Sequence, residues 1–278
     1  AIGEGGPGES DRSGGKSGLG QDETSDQQGS PERPGDRVLF RDAGGRELIL
    51  DDLKGVSGKV NYELIGTQDI PDRAHQLHQM ARQAGGKGDY PRTLELLRQA
   101  HDLASLWPFP LYDKAFTYLL MQDYSNAELH YRKVLELAPG GFFTAITALD
   151  TLARERAGEF PEGTYLAYMQ LEWISDPVQK AERIELFMSK IPEFAPIWEA
   201  FAQLCEDDVQ KLEAIERGLA ARPDAETRGM LVLNKALTLY HGGRQEEGLN
   251  MLGELALDPE STLSTEQLAK VTLANLLK

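Results

Sequence analysis

The sequence predicts an all-α protein in which antiparallel pairs of helices stack on one another. From about Pro71 onward, apolar residues recur at three- and four-residue spacing, in stretches separated by Gly, Asp or Pro. Within this part, residues 88–94 (GDYPRTL) match residues 122–128 (QDYSNAE), 34 positions further along the chain. A helical pattern that repeats at a fixed period is the mark of a stacked-repeat architecture.

The first 35 residues differ in composition from the rest of the chain. Residues 1–35 consist mostly of Gly, Ser, Asp, Glu and Gln and contain almost no large apolar side chains. Such a segment cannot bury enough apolar surface to offset the conformational entropy lost on folding. The sequence therefore predicts a disordered tail over residues 1–35.

Residues 36–70 show a pattern typical of short β-strands. Residues 38–40, a Gly-containing turn at 43–45 and residues 47–50 predict a hairpin, and residues 60–65 predict a third strand. A two-stranded hairpin alone is marginally stable in water. We therefore expect this segment to pack on the helices that follow, as a cap over the first pair or as part of a larger domain.

Residues 71–278 are predicted to be helical to the end, with about five helix pairs and a C-terminal helix. In the first two units, a small residue stands in the first helix of each pair, Ala81 and then Ala115. An Asp-Tyr dipeptide follows in each inter-helix turn, at 89–90 and at 123–124. Small residues allow two helices of a pair to cross closely, and larger apolar residues fill the space between pairs.

With Ala127 early in the next helix and Pro139 at its close, the chain resembles a tetratricopeptide repeat array. The resemblance is strong over two units and weaker over about three later ones. It implies a right-handed superhelix of antiparallel helix pairs, because one pair cannot bury its own apolar face and must stack on the next. It also implies an inner surface that holds another protein or a peptide.

In this family the inner surface is formed by fixed positions in the first helix of each pair. Carried onto this sequence, those positions imply an aromatic groove of mixed charge, suited to apolar anchors on a partner. The predicted groove residues are His78, Arg82, Tyr112, Asp113, Phe116 and Leu119. The alternative is that the aromatic residues pack against residues 36–66 or against neighbouring helices.

One subclass of partner is not expected. Chaperone-binding members of the family hold a C-terminal carboxylate with Lys and Asn, at positions where this chain has His78, Arg82 and Asp113. An aspartate in place of the asparagine repels a carboxylate. We therefore expect this carboxylate clamp to be absent.

The chain is acidic, with 45 Asp and Glu against 29 Lys and Arg and a net charge of −16. This charge disfavours nucleic acid and anionic membrane surfaces, and it favours basic partners. No run approaches the roughly 18 apolar residues that span a bilayer, so we expect no membrane insertion. The residues from Ala1 onward do not show the charged-then-apolar pattern of a signal peptide; the cytoplasm is slightly favoured, and export is compatible with a signal peptide that has been removed.

The sequence contains no assembled catalytic motif, so we predict neither an enzyme nor a cofactor. His75 and His78 lie three residues apart but lack further ligands at metal-binding spacing. The single cysteine, Cys205, follows an apolar helical pattern and is expected to be buried. The acidic run at 206–208 is expected to cap a helix.

Together these patterns predict a scaffold or adaptor that binds a partner protein or peptide. Self-assembly, for example as a homodimer through Trp173 or Trp198, is the first alternative. A ligand-binding or enzymatic site within residues 142–173 is the second. The residues of interest there are Arg154, Glu155, Arg156, Tyr165 and Tyr168.

Overall fold

The computed structural model describes residues 37–41, 61–65 and 70–277. The described part contains two β-strands and twelve α-helices, which confirms the predicted all-helical repeat fold. In chain order the elements are β1 (Arg37–Arg41), β2 (Asn61–Ile65), α1 (Asp72–Gly86), α2 (Tyr90–Leu103), α3 (Phe109–Leu120), α4 (Tyr124–Leu137), α5 (Ala145–Arg156), α6 (Thr164–Gln170), a 3₁₀ helix (Leu171–Trp173), α7 (Pro177–Lys190), α8 (Ala195–Ala202), α9 (Asp208–Ala220), α10 (Ala225–His241), α11 (Gln245–Leu257) and α12 (Leu263–Leu276).

The Asp-Tyr dipeptides mark the start of the second helix in each of the first two pairs. Asp89 accepts a hydrogen bond from the backbone N–H of Arg92 at 3.2 Å, and α2 begins at the next residue. Asp123 accepts one from the N–H of Asn126 at 3.1 Å, and α4 begins in the same way. The aspartates therefore satisfy N–H groups that have no partner within the helix.

The small residues of the repeat lie where the paired helices cross. Ala81 and Ala115 in the first helices, and Ala127 in the second, are fully buried. Thr93 occupies the position equivalent to Ala127 and donates its hydroxyl to the Ala81 carbonyl at 3.3 Å. A buried hydroxyl is tolerated there because it has a hydrogen-bond partner.

Two further expectations of the sequence are confirmed near the start of α9. Cys205 is buried. Asp207 accepts a hydrogen bond from the N–H of Val209 at 3.0 Å and so caps α9.

Five helix pairs follow one another: α1–α2, α3–α4, α5–α6, α8–α9 and α10–α11. Helix α7 stands between the third and fourth pairs, and α12 follows the fifth. The third pair is irregular, because α6 starts only after Gly163, whose φ is +86°, and passes into the 3₁₀ helix after seven residues. The weak match of the third unit to the repeat pattern reflects this irregularity.

The two strands form an antiparallel ladder in which Arg37 pairs with Ile65 and Arg41 with Asn61. The strand predicted at 60–65 is therefore present as β2. The predicted disordered tail at 1–35, the turn at 43–45 and the strand at 47–50 lie outside the described residues. Strand β1 lies against α12, the last helix that the structure describes.

The C-terminal pairs fold back onto the middle of the chain. The N–H of Leu263 donates to the Gly140 carbonyl at 2.7 Å, which joins the start of α12 to the loop between α4 and α5. Thr147 of α5 donates to Asp224 at 3.0 Å and to Glu226 at 3.2 Å, at the start of α10. The first helices of the pairs thus contact one another across the molecule, whereas the second helices mainly contact their chain neighbours.

Candidate interaction surface

Three of the predicted groove residues meet where α1 contacts α3. Nε2 of His78 lies 2.8 Å from Oδ2 of Asp113, and Nε of Arg82 lies 3.8 Å from the same oxygen. The His78–Asp113 contact is close but not aligned as a hydrogen bond, so we treat it as an electrostatic contact. The carboxylate of Asp113 therefore already faces both His78 and Arg82.

Tyr112 joins α3 to the beginning of the third pair. Its hydroxyl lies 2.7 Å from Oγ1 of Thr144, and that oxygen lies 2.8 Å from the hydroxyl of Tyr165. Burial raises the pKa of Tyr112 well above its usual value, and the Thr144 hydrogen bond opposes the shift. Because this hydroxyl is engaged between helices, Tyr112 has a structural role.

Leu119 and Phe116 are more buried than a binding groove requires. Leu119 is 0% exposed and lies in the hydrophobic core, so it presents no area to a partner. Phe116 is 7% exposed and contacts the ring of Trp173 edge to face, with 6.3 Å between the ring centroids. Of these two side chains, only Phe116 contacts an exposed residue, Trp173.

Trp173 is the exposed aromatic residue next to Phe116. From the sequence it is predicted to take part in self-assembly and not in the groove. It lies in the 3₁₀ helix and is 36% exposed, whereas Trp107 and Trp198 are buried. The sequence signal for it was weak, because the 3₁₀ helix falls outside the regular repeat.

We use the name inner patch for four residues of α1, α3 and the 3₁₀ helix: Arg82, Phe116, Glu172 and Trp173. Arg82 reaches the patch through Asp113, which lies one helical turn from Phe116. The Glu172 side chain is 42% exposed and lies 3.6 Å from the ammonium group of Lys180. The patch therefore combines an exposed aromatic ring with charges of both signs.

Carboxylates surround the neighbouring Tyr168. Burial raises the pKa of Tyr168 well above its usual value, and the charges of Glu199, Glu172, Asp224 and Glu226 raise it further. Because burial also raises the pKa of Glu226, the negative field here comes mainly from Glu199, Glu172 and Asp224. Such a field favours cationic groups.

The side chains predicted for a ligand site within residues 142–173 hold the fold together. Arg154 contacts Glu159 at 3.2 Å, and its guanidinium lies 4.0 Å from the centre of the Phe160 ring. Glu155 accepts the N–H of Tyr165 at 2.8 Å, at the first turn of α6. These contacts stabilise the irregular third pair.

Trp198 offers little area for contact with a second copy of the chain. It is buried, and its Nε1–H donates to the Pro192 carbonyl at 2.7 Å. Within residues 37–41, 61–65 and 70–277, no three His, Cys, Asp or Glu side chains are grouped to hold a metal ion. None of the helices in that part is long and apolar enough to cross a membrane.

No protein-family model and no curated protein matches the chain. Solved structures of tetratricopeptide repeat proteins resemble it. Residues 41 to the end of MamA from Desulfovibrio magneticus RS-1 are 15% identical, with 67% of this chain and 94% of that chain covered and a TM-score of 0.32. YrrB, titled a TPR protein with an unusual peptide-binding site, is 13% identical, with 74% and 92% covered and a TM-score of 0.30.

The TPR2AB domain of yeast Sti1 is 15% identical, with 72% of this chain and 85% of that chain covered and a TM-score of 0.32. Identities and scores of this size describe a general likeness. The repeat fold of this chain is established by its own helix pairs.

Proposed function

We propose that the protein is a non-enzymatic scaffold that holds a partner protein or peptide against the inner patch. The observation that carries this proposal is Trp173, which is 36% exposed and packs on Phe116 beside the first helices. Rigid aromatic residues contribute a large share of binding energy at protein interfaces. A partly exposed tryptophan with a buried aromatic support has the features of such an anchor.

The charge of the surroundings supports a basic partner segment with an apolar anchor. Glu172 at the patch and Glu199 behind it contribute to the negative field around Tyr168. Lysine or arginine side chains of a partner gain from this field, and an apolar side chain packs on Trp173. A partner that presents a C-terminal carboxylate is disfavoured, because Asp113 already faces His78 and Arg82.

The test is a selection of displayed peptides on the wild-type protein, followed by measurement of their affinity for two variants. Trp173→Ala removes the anchor. Leu257→Ala is the matched control, because Leu257 is 82% exposed at the far end of α11. We expect selected peptides to carry Lys or Arg and an apolar residue, and to lose at least about tenfold in affinity for Trp173→Ala alone.

Acidic selected peptides, or equal affinity for both variants, would count against the proposal. Self-association through the exposed Trp173 is the alternative. A dimer mass in light scattering that becomes a monomer mass in Trp173→Ala would favour self-association over a peptide ligand.

A further inference from the structure

A second group of charged side chains lies between the second helices of the first two pairs. His101 belongs to α2, Lys114 to α3, and His130 and Lys133 to α4; we call these four residues the outer cation cluster. Helix α3 packs against both α2 and α4. Lys114 lies one helical turn before Tyr118 on α3, and the Tyr118 ring contacts that of His130. This cluster is distinct from the inner patch.

His130 has one ring nitrogen available within this cluster. The residue is buried, its ring lies 5.1 Å from that of Tyr118, and its Nδ1 lies 2.8 Å from the Asn126 carbonyl oxygen. A carbonyl can only accept, so the hydrogen-bond network assigns the proton to Nδ1. Nε2 is then the nitrogen left to meet a ligand.

The four basic groups have no balancing carboxylate at ion-pair distance among the described residues. The nearby carboxylates of Glu95 and Asp102 are both engaged by Arg98, at 2.9 Å and 2.6 Å. Positive charge is thus concentrated locally in a chain whose net charge is −16. A local charge of this kind attracts a counter-ion from solution.

The side chains of the cluster act on one another. Burial lowers the pKa of His130, and the charges of Lys114, Lys133 and His101 lower it further, while the Asn126 carbonyl acts in the opposite direction. The neighbouring positive charges therefore disfavour the protonated form of His130.

The pKa values of His101 in α2 and Lys114 in α3 are lowered in a similar way. Burial lowers the pKa of His101, and the charges of Lys114 and Lys133 add to this effect, while Asp102 opposes it. Burial also lowers the pKa of Lys114, with Lys133 and then Arg98 contributing further, while the charges of Asp102 and Glu95 oppose the shift. An anion placed between these groups would reverse the field and favour their protonated forms.

We propose that the outer cation cluster binds a dianionic oxyanion of the phosphate type. A dianion balances both lysines, whereas a single carboxylate balances one of them. Free phosphate and a phosphomonoester on a partner protein both carry such a dianionic group. Because the dianion favours protonation of His101 and His130, binding is linked to proton uptake and tightens as the pH falls.

The first experiment titrates the full chain with sulfate and follows the imidazole signals of all five histidines by NMR. Sulfate is used because it remains a dianion throughout the pH range of the titration. We expect His101 and His130 to shift saturably with one dissociation constant, which rises several-fold from pH 6 to pH 7.5. His241, in α10, should not shift. Shifts that are linear in sulfate and common to all histidines would overturn the proposal.

Variants separate a specific site from a general effect of charge. Lys114→Gln and Lys133→Gln should each weaken sulfate binding by about tenfold, the loss of a charge-assisted contact. Lys190→Gln, on the exposed side of α7, removes the same charge and should leave binding unchanged. An unchanged His241 signal shows that each variant is folded. Equal weakening by all three substitutions would overturn the proposal.

The source of the dianion is resolved with inorganic phosphate and acetylated phosphoserine amide, both at pH 8. Equal or tighter binding of the phosphoserine compound supports a phosphorylated partner, and binding of inorganic phosphate alone supports a free ion. Acetate that binds as tightly as sulfate would contradict the requirement for a dianion.

Discussion

At the scale of single residues, the aspartates of the inter-helix turns have a local and predictable function. Asp89 and Asp123 each precede a helix and accept the N–H of the residue three positions further on. Their role was predictable from the sequence, because capping depends only on the side chain and the next few backbone groups.

We predict that Asp123→Ala lowers the free energy of unfolding by about 1 kcal/mol, because the N–H of Asn126 loses its partner. Urea unfolding followed by circular dichroism measures the change. Glu136→Ala, at an exposed position of the same helix, is the control and should change stability by less than about 0.5 kcal/mol. Equal effects of the two substitutions would contradict the assignment of the cap.

The buried carboxyl group of Glu226 makes stability depend on pH. Burial raises its pKa well above the usual value, and the charge of Asp224 adds to the shift. A raised pKa in the folded state means that Glu226 stabilises the fold at low pH and that this contribution is lost as the pH rises. We therefore predict that Glu226→Gln is more stable than wild type at pH 7.

Urea unfolding at several pH values tests this prediction. The advantage of Glu226→Gln should shrink as the pH falls toward the ordinary pKa of a glutamate. An advantage that is the same at pH 4 and pH 7 would show that Glu226 does not titrate with a raised pKa in the fold. Glu136→Gln is the control and should show no such dependence.

At the scale of elements, the first two helix pairs were predictable from the sequence. Which of their side chains become buried when the pairs stack was not. The period of 34 residues and the positions of Ala81 and Ala115 follow from the sequence. The full burial of Leu119 and the exposure of Trp173 depend on contacts between residues far apart in the sequence. No local pattern encodes those contacts, so the predicted groove residues included two core residues, Phe116 and Leu119, and did not include the exposed Trp173.

The crossing of α10 with α12 depends on one glycine. A Cβ atom at Gly229 would lie 2.4 Å from Cγ2 of Thr265, whereas one at Gly253, in α11, would meet no atom within 4 Å. We predict that Gly229→Ala destabilises the protein by about 1 to 3 kcal/mol through overpacking. Gly253→Ala is the matched control and should be neutral or stabilising by up to about 1 kcal/mol.

Thermal unfolding of the two glycine variants provides the measurement. Similar melting temperatures for Gly229→Ala and Gly253→Ala would show that α10 and α12 do not approach as closely as described.

At the scale of the whole molecule, the return of the C-terminal helices onto the middle of the chain was not predictable. The contact of Gly140 with Leu263 joins residues far apart in sequence and carries no repeat signature. The loop between α4 and α5 and the start of α12 are therefore neighbours only in the folded molecule. The proposed partner surface is the inner patch, which lies on α1, α3 and the 3₁₀ helix.

Disulfide formation tests directly whether the start of α12 lies against the loop between α4 and α5. A Cβ at Gly140 would lie 3.0 Å from Cβ of Leu263, close enough for a disulfide after a small adjustment. In a Cys205→Ser background, Gly140→Cys with Leu263→Cys should form an intramolecular disulfide under mild oxidation. Gly86→Cys with Leu263→Cys is the control, since Gly86 has no neighbour within 4 Å of its Cβ position. Free thiols in both double variants would contradict the closed arrangement.

The measurement that tests the central claim most directly is quantitative capture of partners from the native extract by the full chain. Wild type, Trp173→Ala and Leu257→Ala serve as baits in parallel, and mass spectrometry compares what each retains. The scaffold account predicts at least one protein that wild type and Leu257→Ala retain equally and that Trp173→Ala loses. If every protein captured by the wild type is recovered equally with Trp173→Ala, the inner patch is not the binding surface.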